Sequence, residues 1–101
     1  MANARIQKTN VTLKMLLDSG ILTAEQELVC ENPNVRGMLN GDGTITVRLE
    51  DIERRFDFLS GAARFIEKRS INGWLYWGTL VNGIKHNLGD FRDQYLELNE
   101  P

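Results

Sequence analysis

The chain has 101 residues, 42% of them hydrophobic and 26% charged, and 12 Lys+Arg against 14 Asp+Glu give a formal net charge of −2 at pH 7. That length holds one small domain with a single core, and the balance of apolar and charged residues is ordinary for a soluble globular protein, so neither disorder nor a membrane protein is indicated. One cysteine, Cys30, and one histidine, His86, exclude an internal disulfide and leave zinc chemistry almost no ligands.

No stretch approaches the roughly 18 apolar residues of a membrane span, and the opening "MANARIQKTN" lacks the apolar run of a secretory signal, so the expected location is the cytoplasm. Charge is unevenly spread. Residues 1–53 carry five Lys/Arg against eight Asp/Glu, residues 54–92 seven against three, and residues 93–101 none against three. A mildly acidic whole argues against purely electrostatic nucleic-acid binding, whereas the basic middle has the sign that a nucleic-acid face needs.

In chain order, "TNVTLKMLLDSGIL" predicts a helix over Leu13–Ser19, started at Thr12, carrying Leu13, Leu16 and Leu17 on one face and followed by Gly20. Three β-type runs come next, Glu27–Glu31, Val35–Leu39 and Thr44–Leu49, separated by Asn/Pro and "NGDG" punctuation. In the third, Thr44, Thr46 and Arg48 alternate with Ile45, Val47 and Leu49, one wet face and one dry. "RRFDF" after Asp51 is expected to return as a further strand of this meander.

The period then changes. Ser60 is the expected cap of a helix beginning at Gly61, with Ala62, Ala63, Phe65 and Ile66 inward and Arg64 and Lys68 one turn apart on the opposite face. Asn72-Gly73 reads as a turn into a strand on which Trp74 and Tyr76 share one face and Trp77 points to the other. One tryptophan is then structural and one available; Trp74, next to the turn, is expected to be buried and Trp77 to lie nearer the surface or a groove. Asn82-Gly83 predicts a hairpin back through Ile84 to His86, and "LGDFRDQYLEL" a closing amphipathic helix with Phe91, Tyr95 and Leu98. The expected fold is α+β: a small antiparallel sheet of hairpins with about three short helices in a single domain.

"TLKMLLDSGIL", the mid-chain "DG" hairpin, "SGAA" opening a helix, and "SINGWLYW" followed by a glycine hairpin and "LGDFR" together resemble the RAMA domain, named for its association with restriction enzymes and adenine methylases. The resemblance runs from about Val11 to Tyr95, with Ser70-Ile71-Asn72-Gly73-Trp74 and Trp77 its most specific part. It implies a domain over residues 11–98, between a flexible segment at 1–10 and a tail at 99–101. It also implies DNA binding, with recognition of adenine methylated on its exocyclic amine proposed for some members, and a restriction or methylase protein as a further partner. The chain departs from the pattern in having Phe58-Leu59-Ser60 where the family usually has Ser-Pro-Ser, which keeps the expected capping serine.

The residue chemistry can be read beside the resemblance. A methylated, extruded base needs an apolar or aromatic pocket, and its flanking phosphates need cations and donors. Trp74, Tyr76 and Trp77 are candidates for the first; Arg64, Lys68, Arg69 and Lys85 for the second. The N-terminus of the Ser60 helix offers backbone donors for a phosphate, and Gly61 would permit close approach; Ser70 and Asn72 complete the candidate set. Each has a plainer reading as well: core packing for the aromatics, a turn for Asn72-Gly73, a helix cap for Ser60, a solvated face for the cations. No catalytic activity, metal or cofactor is expected, because a Cys30/His86 dyad lacks an orienting third group, Glu50-Asp51-Glu53 and Asp90-Asp93 read as solvated surface, and no phosphate-binding or nucleophile motif is present. The rival to DNA binding is a small interaction module docking on a nuclease, methylase or other DNA-processing enzyme through its acidic ends or an edge strand.

Overall fold

The computed structural model describes residues 10–99. The expected N-terminal segment and C-terminal tail lie outside the described residues apart from Asn10 and Asn99. Thr12 starts α1 (Leu13–Asp18): its hydroxyl accepts from the Met15 N–H at 3.2 Å, and the Met15 sulfur takes the Thr12 N–H in return. The helix ends in a Schellman turn, with the Gly20 N–H on Leu17 and the Ile21 N–H on Leu16.

Four strands follow as an antiparallel meander in chain order: β1 (Glu27–Leu28), β2 (Val35–Leu39), β3 (Ile45–Leu49) and β4 (Ile52–Phe56). The alternation predicted for β3 holds, with Ile45 and Val47 buried and Arg48 exposed. β1 is shorter than the expected Glu27–Glu31. After Leu28 the chain changes partner, and Val29 exchanges backbone hydrogen bonds of 2.8 and 2.9 Å with Gly78 rather than continuing along β2. The returning strand also starts earlier than "RRFDF", because the Leu49↔Ile52 pair closes the hairpin directly, with Glu50 at φ 56 in its loop.

The second half departs most from expectation. α2 runs Leu59–Glu67, and Phe58, not Ser60, stands at its N-cap, with no side chain capping the helix. Ser60 is already inside the first turn, so the expected cap is corrected. Lys68 is not on the helix face beside Arg64; it terminates the helix in the left-handed region at φ 64. The expected strand from Trp74 to Thr79 is also corrected: Gly73–Tyr76 form one helical turn, α3, capped by the Asn72 side chain on the Trp74 N–H at 3.0 Å, and β5 (Gly78–Val81) begins only after Trp77. Asn72-Gly73 is therefore a helix start and not a hairpin turn. β5 and β6 (Ile84–Asn87) form the predicted hairpin, with Asn82 and Gly83 both at positive φ, as a two-residue loop of this kind requires. α4 (Leu88–Leu98) closes the fold over the predicted residues.

The core lies between the dry face of the meander and the helices, and Trp77 is its hub at 0% exposure. Its indole N–H donates to the Leu59 carbonyl at 3.2 Å, its carbonyl accepts from Leu88 N–H at 2.9 Å, and its ring lies so close to Gly37 that a Cβ there would stand 2.8 Å from it. One residue thus ties β2 and α2 together through its side chain and the start of α4 through its main-chain carbonyl. The expected assignment of the two tryptophans is reversed: Trp77 is buried and Trp74 is only partly so. The cause is the α3 turn, which abolishes the two-residue alternation on which the expectation rested.

A candidate nucleic-acid interface

α3 is held against α2 by a backbone contact. A Cβ on Gly73 would stand 2.4 Å from the carbonyl carbon of Leu59 and the amide nitrogen of Ser60, so only glycine fits where the two helix starts meet. Around this junction the structure opens two depressions. The larger, of about 520 Å³, is walled by the start of α1 (Val11–Lys14), the β2–β3 loop (Asp42–Thr44), residues 57–60 at the start of α2, and Asn72, Gly73 and Trp74. Within the range of small-molecule sites, it is mainly apolar in its lining. The smaller, of about 350 Å³, lies on the other side of Asn72 and is lined by Glu31, Arg69, Ser70, Ile71, Asn72, Leu75, Tyr76 and Lys85. Asn72 belongs to both.

The candidate residues divide accordingly. Arg69, Ser70, Asn72, Tyr76 and Lys85 meet in the smaller groove, and Ser60, Asn72 and Trp74 in the cleft. Gly61, Arg64, Lys68 and Trp77 line neither. A Cβ at Gly61 would meet only Phe56 at 3.8 Å, so close approach is not why glycine stands there. The Lys68 ammonium lies 5.5 Å from the centre of the Phe65 ring, with Arg54 at 5.4 Å from the same ring, and Arg64 is exposed. Trp77 is core.

Tyr76 is not a free platform. Its hydroxyl donates to the Glu67 carboxylate at 2.7 Å, its ring meets Trp77 edge-on at 5.3 Å, and burial, with the Cys30 thiol and Glu67 carboxylate alongside, pushes its pKa well above the ordinary 10. Lys85 donates to the Tyr76 carbonyl at 3.2 Å, which holds its ammonium in the groove that Arg69 also lines.

Phe58, Asp57 and Arg92 are absent from the expected set. Phe58 is 72% exposed at the rim of the cleft. The sequence signal was the departure from Ser-Pro-Ser, an aromatic at a helix start where a small polar residue is usual. Arg92 on α4 is 9% exposed and lies 4.5 Å from the Trp74 ring centre; its Nε finds no hydrogen-bond partner, and burial lowers its pKa. Nothing in the "FRDQ" sequence distinguishes this arginine from a solvated one. In the β2–β3 loop, the Thr44 hydroxyl and N–H hold the Asp42 carboxyl below its ordinary value, with Arg55 adding a salt bridge.

The family model described as Restriction Enzyme Adenine Methylase Associated, RAMA, matches residues 1–101, the whole length given. The chain belongs to the RAMA family. No curated protein matches this RAMA chain. The family match extends beyond the expected 11–98 at both ends. Among the described residues of the RAMA fold no helix is long and apolar enough to cross a membrane, and no group of three His, Cys, Asp or Glu side chains is placed to hold a metal ion.

Proposed function

We propose that this RAMA chain is a non-catalytic module that binds DNA and reads adenine methylation in a restriction-modification setting. One observation carries the reading: an apolar cleft with an exposed aromatic and a groove with two cations adjoin at a single residue, Asn72. A nucleotide has the same division. Its base is planar and largely apolar on its faces, and its phosphate is anionic. In this arrangement Phe58 and Trp74 face an extruded base, and Arg69 and Lys85 hold the phosphate beside it. The family description supports the link to restriction enzymes and adenine methylases. Because the interface is small and the chain mildly acidic, affinity rests on few phosphate contacts.

A second reading, a protein-docking module, draws on the exposed apolar residues of the β5–β6 hairpin, Leu80, Val81 and Ile84. The free outer edge of β4 serves it less well, because Glu53, Arg54 and Arg55 charge that edge. A salt series separates the two. In fluorescence anisotropy with a short duplex, two phosphate contacts give a log–log slope of about −2. No binding at low salt, with capture of a methylase or nuclease instead, would favour docking.

A further inference from the structure

The polar groups of the cleft wall are mostly committed. Thr12 caps α1, Lys14 is paired with Asp18, Asp42 is taken by Thr44 and Arg55, and the Asn72 carbonyl oxygen caps α3. Among the described residues of the wall, exposed Asp57 and exposed Ser60 have no side-chain hydrogen-bond or ion-pair partner, and of the two Asp57 alone is a carboxylate and directly precedes Phe58, the most exposed large apolar side chain. An ionised carboxylate only accepts hydrogen bonds. In a mainly apolar cleft it repels phosphate and selects a neutral group that offers an N–H.

We propose that Asp57 is the specificity-determining residue of the cleft, accepting a hydrogen bond from the exocyclic N–H of a base stacked on Phe58. The assignment rests on the DNA reading above. It sets a rule on the amine. Adenine offers two N–H bonds, and N6-methyladenine keeps one and adds a small apolar surface. N6,N6-dimethyladenine has none, so it would leave the carboxylate buried against the ligand without a partner. The cleft therefore accepts the first two and rejects the third, a pattern that apolar contact alone would invert, since two methyl groups bury more surface than one.

The test compares three oligonucleotide duplexes carrying adenine, N6-methyladenine or N6,N6-dimethyladenine opposite an abasic site, so that loss of pairing weighs equally on all. The wild-type protein should bind the dimethyl duplex at least about tenfold more weakly than the monomethyl one, the scale of a lost hydrogen bond to a charged group. Asp57→Ala and the near-isosteric Asp57→Leu, each checked for an unchanged thermal melt, should bind both methylated duplexes equally or prefer the dimethyl one. Equal wild-type affinity for the monomethyl and dimethyl duplexes, or discrimination that persists in both folded variants, would overturn the role of Asp57 while leaving DNA binding intact. If none of the three duplexes is bound, the DNA reading itself fails and the proposal with it.

Discussion

The guanidinium of Arg92 stands 4.5 Å from the centre of the Trp74 ring, a buried cation set behind one wall of the cleft. Two effects of similar size oppose each other there. A desolvated cation–π contact contributes up to about 2 kcal/mol, and an unpaired buried donor such as Nε costs about 1 to 3 kcal/mol. Arg92→Met, which keeps the volume and removes both, should therefore unfold in urea within about 1 kcal/mol of wild type. A loss above about 3 kcal/mol would mean that the arginine is a net stabiliser through contacts beyond Trp74.

Trp77 and Trp74 should respond very differently to substitution. Trp77→Ala removes the hub of a small core and should cost about 3 to 5 kcal/mol, a large part of the total stability of such a domain. Trp74→Phe keeps a ring against Arg92 and should fold, with its effect falling on DNA affinity. Circular dichroism melts check both, and a stable Trp77→Ala protein would contradict the packing.

Tyr76 supplies a pH test. Its hydroxyl is kept protonated in the fold above its ordinary value of 10, so the native state holds a proton that the unfolded chain releases, and stability contributed by Tyr76 is full below pH 10 and lost above it. Tyr76→Phe should cost about 1 kcal/mol at neutral pH through the lost bond to Glu67. The gap between wild type and variant should then narrow as the pH passes 10 in urea titrations; a widening gap would reverse the sign.

Much of the fold was legible in the residues because it rests on local rules. The alternation of β3, the Thr12 cap, the Asn82-Gly83 hairpin and the amphipathic α4 are all decided within a few positions of sequence. α3 was not, because residues 74 to 79 alternate like a strand. The turn is capped by Asn72 and packs with Gly73 against the backbone of Leu59 and Ser60, a close approach that only the folded chain makes. Of the candidate residues, only some are brought together, for the same reason. Arg69, Ser70, Asn72, Tyr76 and Lys85 fall together as a basic groove, but the cleft is assembled from four segments far apart in sequence, and its exposed Phe58 was assigned to a strand.

The cations should separate by position rather than by sign. Arg69→Glu should weaken binding to every duplex and flatten the salt slope by about 1 to 2, whereas Arg64→Glu, away from both depressions, should change the slope by less than about 0.5. Equal effects would mean that DNA lies along α2 instead of across Asn72.

The most direct test of base reading is the affinity ratio for two matched, fully paired duplexes that differ only in N6-methylation of one adenine, measured by anisotropy at fixed low salt for the wild type and Phe58→Ala. One buried methyl contributes about 0.8 kcal/mol, so the methylated duplex should bind about fourfold tighter and not beyond about tenfold, and Phe58→Ala should bring the ratio to about one. A wild-type ratio of one, or a preference untouched by Phe58→Ala, would contradict the placement of the base in this cleft.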